Sequence, residues 1–333
     1  MSTIKVEIPS RLVFQNSIDF AKDLRAIEPA DEYIFDFSNL DRIDPFSLLF
    51  ISSEIQRCRE RFNESKFQAV NFGHCTYQSH MGFFKAFGMD HGKFPGEAKG
   101  SSTYIPIHIY NTRDIKSEAR EMLMNPAELL ESKAKEIADI LTRSDSGNLN
   151  EVLTYCLREI FRNVIEHSHA TQFGFCAQYR PSQDLVSFSI IDRGIGLRKS
   201  LQDNPTLNLT NDTDALKAAL KPAVSGKIYK GQRSKPKGEW ANSGYGLFMT
   251  SNICRQGGGF FIASGESGYY LSENKERILD TPFEGTALNL ALDTKRIKKL
   301  GLMLREIDDS NEHSKSKPSK SSMGLINKNK NGA

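Results

Sequence analysis

Apolar residues recur at helical spacing in one stretch of the second half of the chain. They are Val152, Leu153, Cys156, Leu157, Ile160, Phe161 and Val164. Because these positions lie three and four residues apart, they form one wide apolar face of an amphipathic helix. Glu159, Asn163 and Glu166 are therefore expected to project together from another side of that helix.

Strand-like and helix-like patterns follow this helix. LVSFSII, residues 185–191, predicts a strand that ends at Asp192. LFMTSNICRQ, residues 247–256, predicts a helix that stops at the three glycines 257–259. FFIAS and TALNLAL then predict two short strands, the second of which is opened by Gly285 and Thr286.

The long segment between Gly196 and Gly244 has no sustained hydrophobic period and is rich in Asn, Thr, Lys and Gly. A loop of this length inside a compact domain is typical of a functional lid or of a disordered segment. Its basic side chains are candidates to meet a phosphate, namely Lys227, Lys230, Arg233, Lys235 and Lys237. A solvated basic loop is the alternative for any one of them.

The first hundred residues alternate strands with helices, as in an α/β unit. IKVEI, EYIFDFS and FQAVNF predict strands, whereas SIDFAKDLRAI, PFSLLFISSEIQRCRERF and QSHMGFFKAFG predict helices. Residues 111–147 follow as a linker rich in helix formers, which Pro126 interrupts once. The linker contains no histidine, so it offers no acceptor for histidine autophosphorylation.

The polar residues of the predicted helix suit phosphate chemistry. An asparagine carbonyl such as that of Asn163 is a hard, neutral ligand for magnesium that bridges nucleotide phosphates. A carboxylate one turn earlier, at Glu159, can orient or deprotonate an attacking water. Taken alone, this pair is more typical of a solvated helix face, so the later motifs decide its interpretation.

Asp192 is followed by Gly194 and Gly196 at the end of an apolar strand. A buried carboxylate there can accept the exocyclic amino group of adenine, and the glycines let the backbone approach a ligand closely. A strand followed by an ordinary turn is the alternative for this motif by itself. Thr286 is expected to place its hydroxyl near the base, although threonine is also simply a good strand former.

A glycine-rich turn leads directly into the second predicted helix, through Ser243, Gly244, Tyr245, Gly246 and Leu247. Such a turn presents free amide groups and the positive end of the helix dipole to an anion. This arrangement suits the β- and γ-phosphates of a nucleotide. The GxxxxGK[ST] motif is absent, so the nucleotide is not held by a P-loop.

The order E-x3-N, D-x-G-x-G, G-x-G-L and G-T between residues 150 and 295 resembles the GHKL (Bergerat-fold) ATPase domain of histidine kinases, anti-sigma-factor serine kinases and DNA gyrase B. The resemblance implies an α/β sandwich in which helices cover one face of a mixed sheet. It implies ATP and Mg²⁺ as cofactors, with Glu159 as the general base, Asn163 as the magnesium ligand and Asp192 as the adenine contact. It further implies hinges for the phosphates and the lid at four glycines, Gly194, Gly196, Gly244 and Gly246.

Residues 33–55 resemble the centre of a STAS domain, the fold of anti-sigma-factor antagonists, and GFFKAFGMDHGKF resembles the late helix of that family. In phosphorylatable members a serine follows the aspartate, whereas here Asp44 is followed by Pro45. Proline has no hydroxyl and suits the first turn of a helix. Ser47 could substitute as an acceptor, but a capping or core serine is favoured. The domain is therefore expected to bind a protein partner without being phosphorylated at the usual place.

The predicted organisation is an α/β (α+β) chain with a STAS-like domain at 1–110, a helical linker at 111–147, a GHKL domain at 148–296 with its lid at 197–243, and a C-terminal helix and disordered basic tail at 297–333. A net charge of +3 does not indicate nucleic-acid binding. Five cysteines without CxxC spacing indicate free thiols. The sequence contains no signal peptide and no run of 18 apolar residues, which predicts a cytoplasmic protein away from membranes.

Three functions are compatible with these features. The favoured one is a regulatory ATPase in which Mg-ATP binding and hydrolysis change the conformation of the lid. This change would alter the contacts with a protein partner or with a second copy of the chain in a homodimer. It is favoured because Glu159 is the residue type that water-activating members of the resembled family use. The alternatives are a protein serine kinase of the partner-switching type and a signalling adaptor that binds ATP without turnover.

Overall fold

The computed structural model of the protein describes residues 2–226 and 244–309. Helices and strands are mixed, with both parallel and antiparallel pairing, so the α/β class predicted from the sequence is confirmed. The chain divides into two compact units. The first unit holds the chain up to Ile109 with the short segments Gly174–Gln178 and Phe188–Ile191, and the second unit holds the remainder.

The first unit consists of short strands that alternate with helices. Its elements, in chain order, are β1 (Thr3–Glu7), β2 (Arg11–Leu12), α1 (Phe14–Ala26), β3 (Glu32–Asp36), β4 (Arg42–Ile43), α2 (Pro45–Arg61), β5 (Lys66–Val70), α3 (Thr76–His80), α4 (Phe83–Ala86) and most of β6 (Tyr104–Asn111).

A three-stranded parallel sheet, in the order β1, β3, β5, forms the centre of the first unit. Alternating residues of β3 face the core, where Tyr33 and Phe35 are buried and stack on Phe67 of β5. The strands and helices predicted from the alternating pattern are confirmed for β1, β3, β5, α1 and α2. Aromatic stacking along one face contributes to the apolar core that a sheet of three strands needs.

The segment QSHMGFFKAFG forms two short helices, so the prediction of one helix is wrong there. The break lies at Gly82, which has a φ of +85° and ends the run between α3 and α4. A left-handed residue cannot continue a right-handed helix. Phe83, Phe84 and Phe87 nevertheless pack with Phe37 as the apolar pattern requires.

Asp44 caps two helices of the first unit at once. Its Oδ1 accepts a 2.7 Å hydrogen bond from the amide of Ser47 at the start of α2, and its Oδ2 accepts one of 3.1 Å from the amide of Phe14 at the start of α1. Pro45 occupies the first position of α2, as its lack of an amide hydrogen allows. The carboxylate thereby satisfies one free amide at each helix N-terminus.

Ser47 is a core serine, as the sequence predicts. Its side chain is fully buried, and its hydroxyl accepts a 2.6 Å hydrogen bond from the hydroxyl of Ser17 on α1. The hydroxyl oxygen is therefore not accessible to solvent in the folded first unit.

Within the described ranges, the second unit contains six α-helices before the last hairpin and one after it. Its elements are the end of β6, then α5 (Thr112–Glu121), α6 (Pro126–Thr142), α7 (Asn148–His167), the outer parts of β7 (Gln172–Arg180) and β8 (Leu185–Asp192), α8 (Gly196–Leu201), α9 (Asp212–Ala219), α10 (Gly246–Gly257), β9 (Gly258–Ser272), β10 (Lys275–Asp293) and α11 (Leu300–Asp309).

Three elements that carry the motifs are confirmed. α7 spans the predicted amphipathic helix, and β8 ends at Asp192. α10 begins at Gly246 and ends among the glycines, at Gly257. Residues 112–142 are mostly helical as predicted, and the one interruption lies directly before Pro126, which starts α6 behind an Asn125 cap.

A five-stranded sheet has the strand order β6, β7, β8, β10, β9. β9 and β10 form one long antiparallel hairpin, so the prediction of two short strands is wrong in length. Gly285 and Thr286 therefore lie inside β10 instead of opening a strand. They occupy an irregularity, because the pairing register shifts between Phe283 and Ala287.

Residues 197–226 differ from the predicted lid loop. They contain α8 and α9, whose Leu201, Ala218 and Ala219 form an apolar cluster with half-buried neighbours such as Leu247. The short helices escape the periodicity analysis because each contributes few apolar residues. The basic stretch with Lys227, Lys230, Arg233, Lys235 and Lys237 lies outside the described residues, as does the tail from residue 310.

All five cysteines are buried free thiols, which confirms the prediction from their number and spacing. Within the described part of the chain, no helix has the length and apolar character needed to span a membrane.

We expect Asp44→Ala to lower the free energy of unfolding of the first unit by about 2 kcal/mol, because two helix caps of about 1 kcal/mol each are lost. Urea unfolding followed by circular dichroism measures the change. Asp41→Ala, at an exposed carboxylate three positions earlier, is the control and should change stability by less than about 0.5 kcal/mol. Equal losses in the two variants would contradict the double-cap interpretation.

We also expect no phosphate on Ser47 when the protein is incubated with Mg-ATP, because its buried hydroxyl is held by Ser17. Mass spectrometry of the peptide that contains Ser47 tests this, with the same peptide from protein kept without ATP as the reference. Stoichiometric phosphorylation would show that the first unit opens to expose α2.

Candidate functional site

Asp192 is a buried carboxylate at the end of β8. Only 3% of the residue is exposed, and its Oδ1 accepts a 2.9 Å hydrogen bond from the amide of Gly194. Burial raises the pKa of Asp192 to about 7, against the opposing effects of the Gly194 amide and of the Thr286 hydroxyl, which also donates to this carboxylate. The structure therefore brings Asp192, Gly194 and Thr286 together, as the sequence predicts.

Glycines at this site allow backbone segments to approach more closely than side chains permit. A Cβ on Gly194 would lie 2.0 Å from the carbonyl oxygen of Ser168, which also accepts a 2.8 Å hydrogen bond from the amide of Ile195. Gly285 has a φ of +103°, and a Cβ there would lie 2.1 Å from the carbonyl oxygen of Asp192. Three segments, the end of α7, the turn after β8 and the irregular part of β10, thus meet at Asp192.

The turn that follows Asp192 leads into α8. Gly196 is the first residue of α8 and has a φ of +73°. A Cβ on it would lie 2.9 Å from the hydroxyl of Ser264. That hydroxyl accepts a 2.9 Å hydrogen bond from the amide of Leu197 and donates one of 2.7 Å to the carbonyl of Gly285. Ser264 belongs to no motif, and only the strand pairing reveals its place in the site.

The glycine-rich turn before α10 contributes backbone rather than side chains. Gly244 has a φ of +70°, and a Cβ there would lie 2.5 Å from the carbonyl oxygen of Val224. Tyr245 is 1% exposed and packs its ring against Phe248, so its side chain belongs to the core. Leu247 is half-buried against the apolar cluster of α8 and α9. Ser243 lies outside the described residues.

Glu159 lies in a buried ion pair. Its side chain is 1% exposed, and its Oε1 accepts hydrogen bonds of 2.7 and 3.1 Å from Nη2 and Nε of Arg158. A Cβ on Gly246 would lie 2.2 Å from Oε2 of Glu159, so the carboxylate touches the first residue of α10. Glu159 and Gly246 are brought together as predicted, but the contact of Glu159 with Arg158 was not predicted.

A chain of charges extends from this pair along α6 and α7. Arg158 reaches Glu131 of α6 at 3.7 Å. Arg162 lies 3.9 Å from Glu159 and donates a 2.9 Å hydrogen bond to Glu166. All but Glu131 are nearly inaccessible, and the side chains of Arg162 and Glu166 are each 4% exposed. The polar face predicted for this helix is therefore enclosed rather than solvated.

Asn163 lies between these charges on α7 and is half-buried. A magnesium ion that bridges nucleotide phosphates takes one or two protein ligands and completes its shell with phosphate and water oxygens. One amide oxygen on α7, one turn after Glu159, is compatible with that coordination. No group of three or more His, Cys, Asp or Glu residues that would form an all-protein metal centre occurs among residues 2–226 and 244–309.

α7 connects the two groups of residues. Glu159 precedes Ser168 by nine positions, which corresponds to about 13 Å along a helix axis. One end of this distance carries the Asp192 carboxylate and the close backbone contacts. The other end carries the N-terminus of α10 and the Arg158–Glu159 pair. The site is therefore elongated. At one end lies the Asp192 carboxyl group, which is neutral or anionic depending on the pH. At the other end the dipole of α10 presents its positive pole.

No protein-family model matches the chain, and no curated protein matches it significantly. The resemblance to GHKL and STAS domains therefore rests on the motifs and on the positions that their residues occupy.

Proposed function

We propose that this protein binds Mg-ATP in its second unit and hydrolyses it as a regulatory ATPase of the GHKL type. The observation that carries the proposal is Asp192, a carboxylate buried at a strand end beside Gly194, Gly285 and the hydroxyl of Thr286. A buried carboxylate with few partners is costly for the folded protein, and such groups concentrate at ligand sites.

Adenine suits this carboxylate because its exocyclic amino group is a hydrogen-bond donor. An ionised carboxylate has about four lone-pair positions, of which the Gly194 amide and the Thr286 hydroxyl use two. The remaining positions can accept from the base. Thr286 is half-buried and provides a second polar group at the same edge of the base.

The phosphates would lie at the other end of the elongated site. The amides at the start of α10 and its dipole attract an anion, and Gly244 and Gly246 let this turn pack against the Val224 carbonyl and the Glu159 carboxylate. Asn163 would supply an oxygen to the magnesium ion, which neutralises the phosphate charge and orients the γ-phosphate when bound.

Hydrolysis would require Glu159 to accept a proton from water at a carboxylate oxygen. In the structure Oε1 is held by Arg158, and Oε2 lies against Gly246. A general base must be within hydrogen-bond distance of the water that it activates. Glu159 must therefore exchange one of these contacts for water, and we expect turnover to be slow.

The Arg158–Glu159 pair also favours a second candidate, an adaptor that binds ATP without turnover. In that function Glu159 would anchor the start of α10 against α7 and take no part in chemistry. The serine-kinase alternative predicted from the STAS-like half remains a proposal as well, and its acceptor would be a residue other than the buried Ser47 or a separate protein. The first unit would supply the surface for such a protein partner, and we place the protein in the cytoplasm.

We expect Glu159→Gln to bind ATP within about twofold of the parent and to release phosphate about a hundredfold more slowly, since an amide cannot act as a base. Glutamine keeps the size of the side chain and one acceptor for Arg158. Incubation with γ-labelled ATP measures turnover, and calorimetric titration measures affinity. Glu151→Gln, at an exposed position of the same helix, is the control.

The label also distinguishes the three functions. Free labelled phosphate from the parent supports the ATPase, labelled protein supports the kinase, and bound ATP with neither product supports the adaptor. An unchanged rate in Glu159→Gln would contradict the assignment of the base.

A second prediction concerns Asp192 and the choice of base. ATP should bind about thirtyfold more tightly than GTP at pH 8, because the oxo group of guanine faces carboxylate lone pairs, a mismatch of about 2 kcal/mol. The pKa of Asp192 is about 7 without ligand, and adenine selects the ionised form, so ATP affinity should decrease as the pH falls from 8 to 6.

Asp192→Asn is the matched variant for this prediction. It keeps an acceptor for the adenine amino group but does not titrate. The ATP phosphates titrate equally in both measurements, so the difference in the pH dependence of ATP affinity between parent and variant reports Asp192 alone. The variant should also narrow the preference for ATP, because its amide can donate to guanine. Identical pH profiles for parent and variant would exclude Asp192 from base recognition.

A further inference from the structure

Ser264 is a buried polar residue to which the proposed function assigns no role. It lies in β9, is 3% exposed, and makes two hydrogen bonds to the backbone of other segments. One joins it to the amide of Leu197 at the start of α8, and the other to the carbonyl of Gly285 in β10. The hydroxyl therefore uses its donor and one acceptor position to connect two segments that flank Asp192.

The pairing of β9 with β10 explains why a side chain is needed here. Ala263 pairs with Ala287, and Gly265 pairs with Phe283. Between these pairs, β9 has one residue, Ser264, whereas β10 has the three residues 284–286. The extra residues of β10 form a bulge. A bulge disrupts the ladder of backbone hydrogen bonds. The Ser264 hydroxyl donates to the Gly285 carbonyl within this irregular part of the ladder.

The bulge in turn places the residues that meet Asp192. Gly285 passes close enough to the Asp192 carbonyl to exclude a Cβ, and the next residue is Thr286, whose hydroxyl donates to the Asp192 carboxylate. On the other side, Ser264 holds the amide of Leu197, and the absence of a side chain at Gly196 leaves room for its hydroxyl. The two segments that flank Asp192, the turn after β8 and the bulge of β10, are therefore both hydrogen-bonded to the Ser264 hydroxyl oxygen.

We propose that Ser264 is a positioning residue for recognition of the purine base: it holds the Gly285–Thr286 bulge against the turn after β8, so that Thr286 and Asp192 present their polar atoms to the same base edge. This inference rests on the proposed ATP binding at Asp192. Ser264 contacts no ligand itself, and its effect reaches the base through Thr286 and the turn.

Ser264→Ala tests the inference by removing both hydrogen bonds. We expect ATP affinity to fall about tenfold and the preference for ATP over GTP to fall from about thirtyfold to below about fivefold, because two misplaced polar groups no longer distinguish the bases. Inorganic triphosphate with Mg²⁺, which lacks a base, should bind equally to parent and variant. A loss of stability alone would lower the melting temperature without changing the ratio of ATP to GTP affinity.

Ser264→Cys is the second variant. Cysteine fills the position with a larger thiol that hydrogen-bonds weakly, so it should behave as Ser264→Ala if the hydrogen bonds matter and as the parent if only the filling of the space matters. Because the thiol leaves no empty space, this variant also keeps the test available where the alanine variant unfolds. Ser251→Ala is the control, because that equally buried serine bonds only to the Phe248 carbonyl of its own helix.

The outcomes separate this inference from the proposed function. Absence of ATP binding by the parent would overturn both. Parent-like affinity and selectivity in either Ser264 variant, with the parent binding ATP, would overturn the role of Ser264 and leave ATP binding intact. Equal loss of affinity for inorganic triphosphate would also overturn it, since the defect would then lie in the whole site rather than at the base.

Discussion

The candidate site depends on backbone segments that lie closer together than any side chain allows. The Ser168 carbonyl approaches Gly194, and the Asp192 carbonyl approaches Gly285, both at positions that a Cβ could not share. A methyl group at either glycine would have to displace backbone, which a packed interior does not permit. These contacts fix the position of Asp192 relative to α7 and to the bulge of β10. The Ser264 and Thr286 hydroxyls can act there only because the backbones already meet.

The cost of Asp192 to the fold supports a role in binding. Its pKa is 3.8 in an unfolded chain and about 7 in the folded one. Below about pH 4 both states are protonated and burial of the group has no electrostatic cost. As the pH rises from 4 to 7 the unfolded state loses its proton first, so stability falls, and the loss is complete above pH 7. A hydrophobic residue would avoid this cost, which suggests that a ligand donor compensates it.

The sequence predicts the parts of the site that depend on local patterns. The apolar periodicity places Glu159 and Asn163 on α7, the apolar run ends β8 at Asp192, and the glycines mark the start and end of α10. Ser264 and Arg158 could not be predicted in the same way. The role of Ser264 depends on its register opposite a bulge some twenty residues away, and the role of Arg158 depends on the enclosure of its helix face by neighbouring elements. Such pairings between distant segments leave no periodic signal.

The Arg158–Glu159 pair determines which of the proposed functions the geometry permits. Both partners are nearly inaccessible, so separating them leaves a buried charge that something else must neutralise. A phosphate at the start of α10 would bring a second anion beside the Glu159 carboxylate, which touches Gly246. If Arg158 then stays with Glu159, the carboxylate remains neutralised and ATP is held without turnover. If Arg158 turns to the phosphate instead, Glu159 is left free to accept a proton from water. Glu131 of α6, which already attracts Arg158 from the other side, helps to set the balance between these two arrangements.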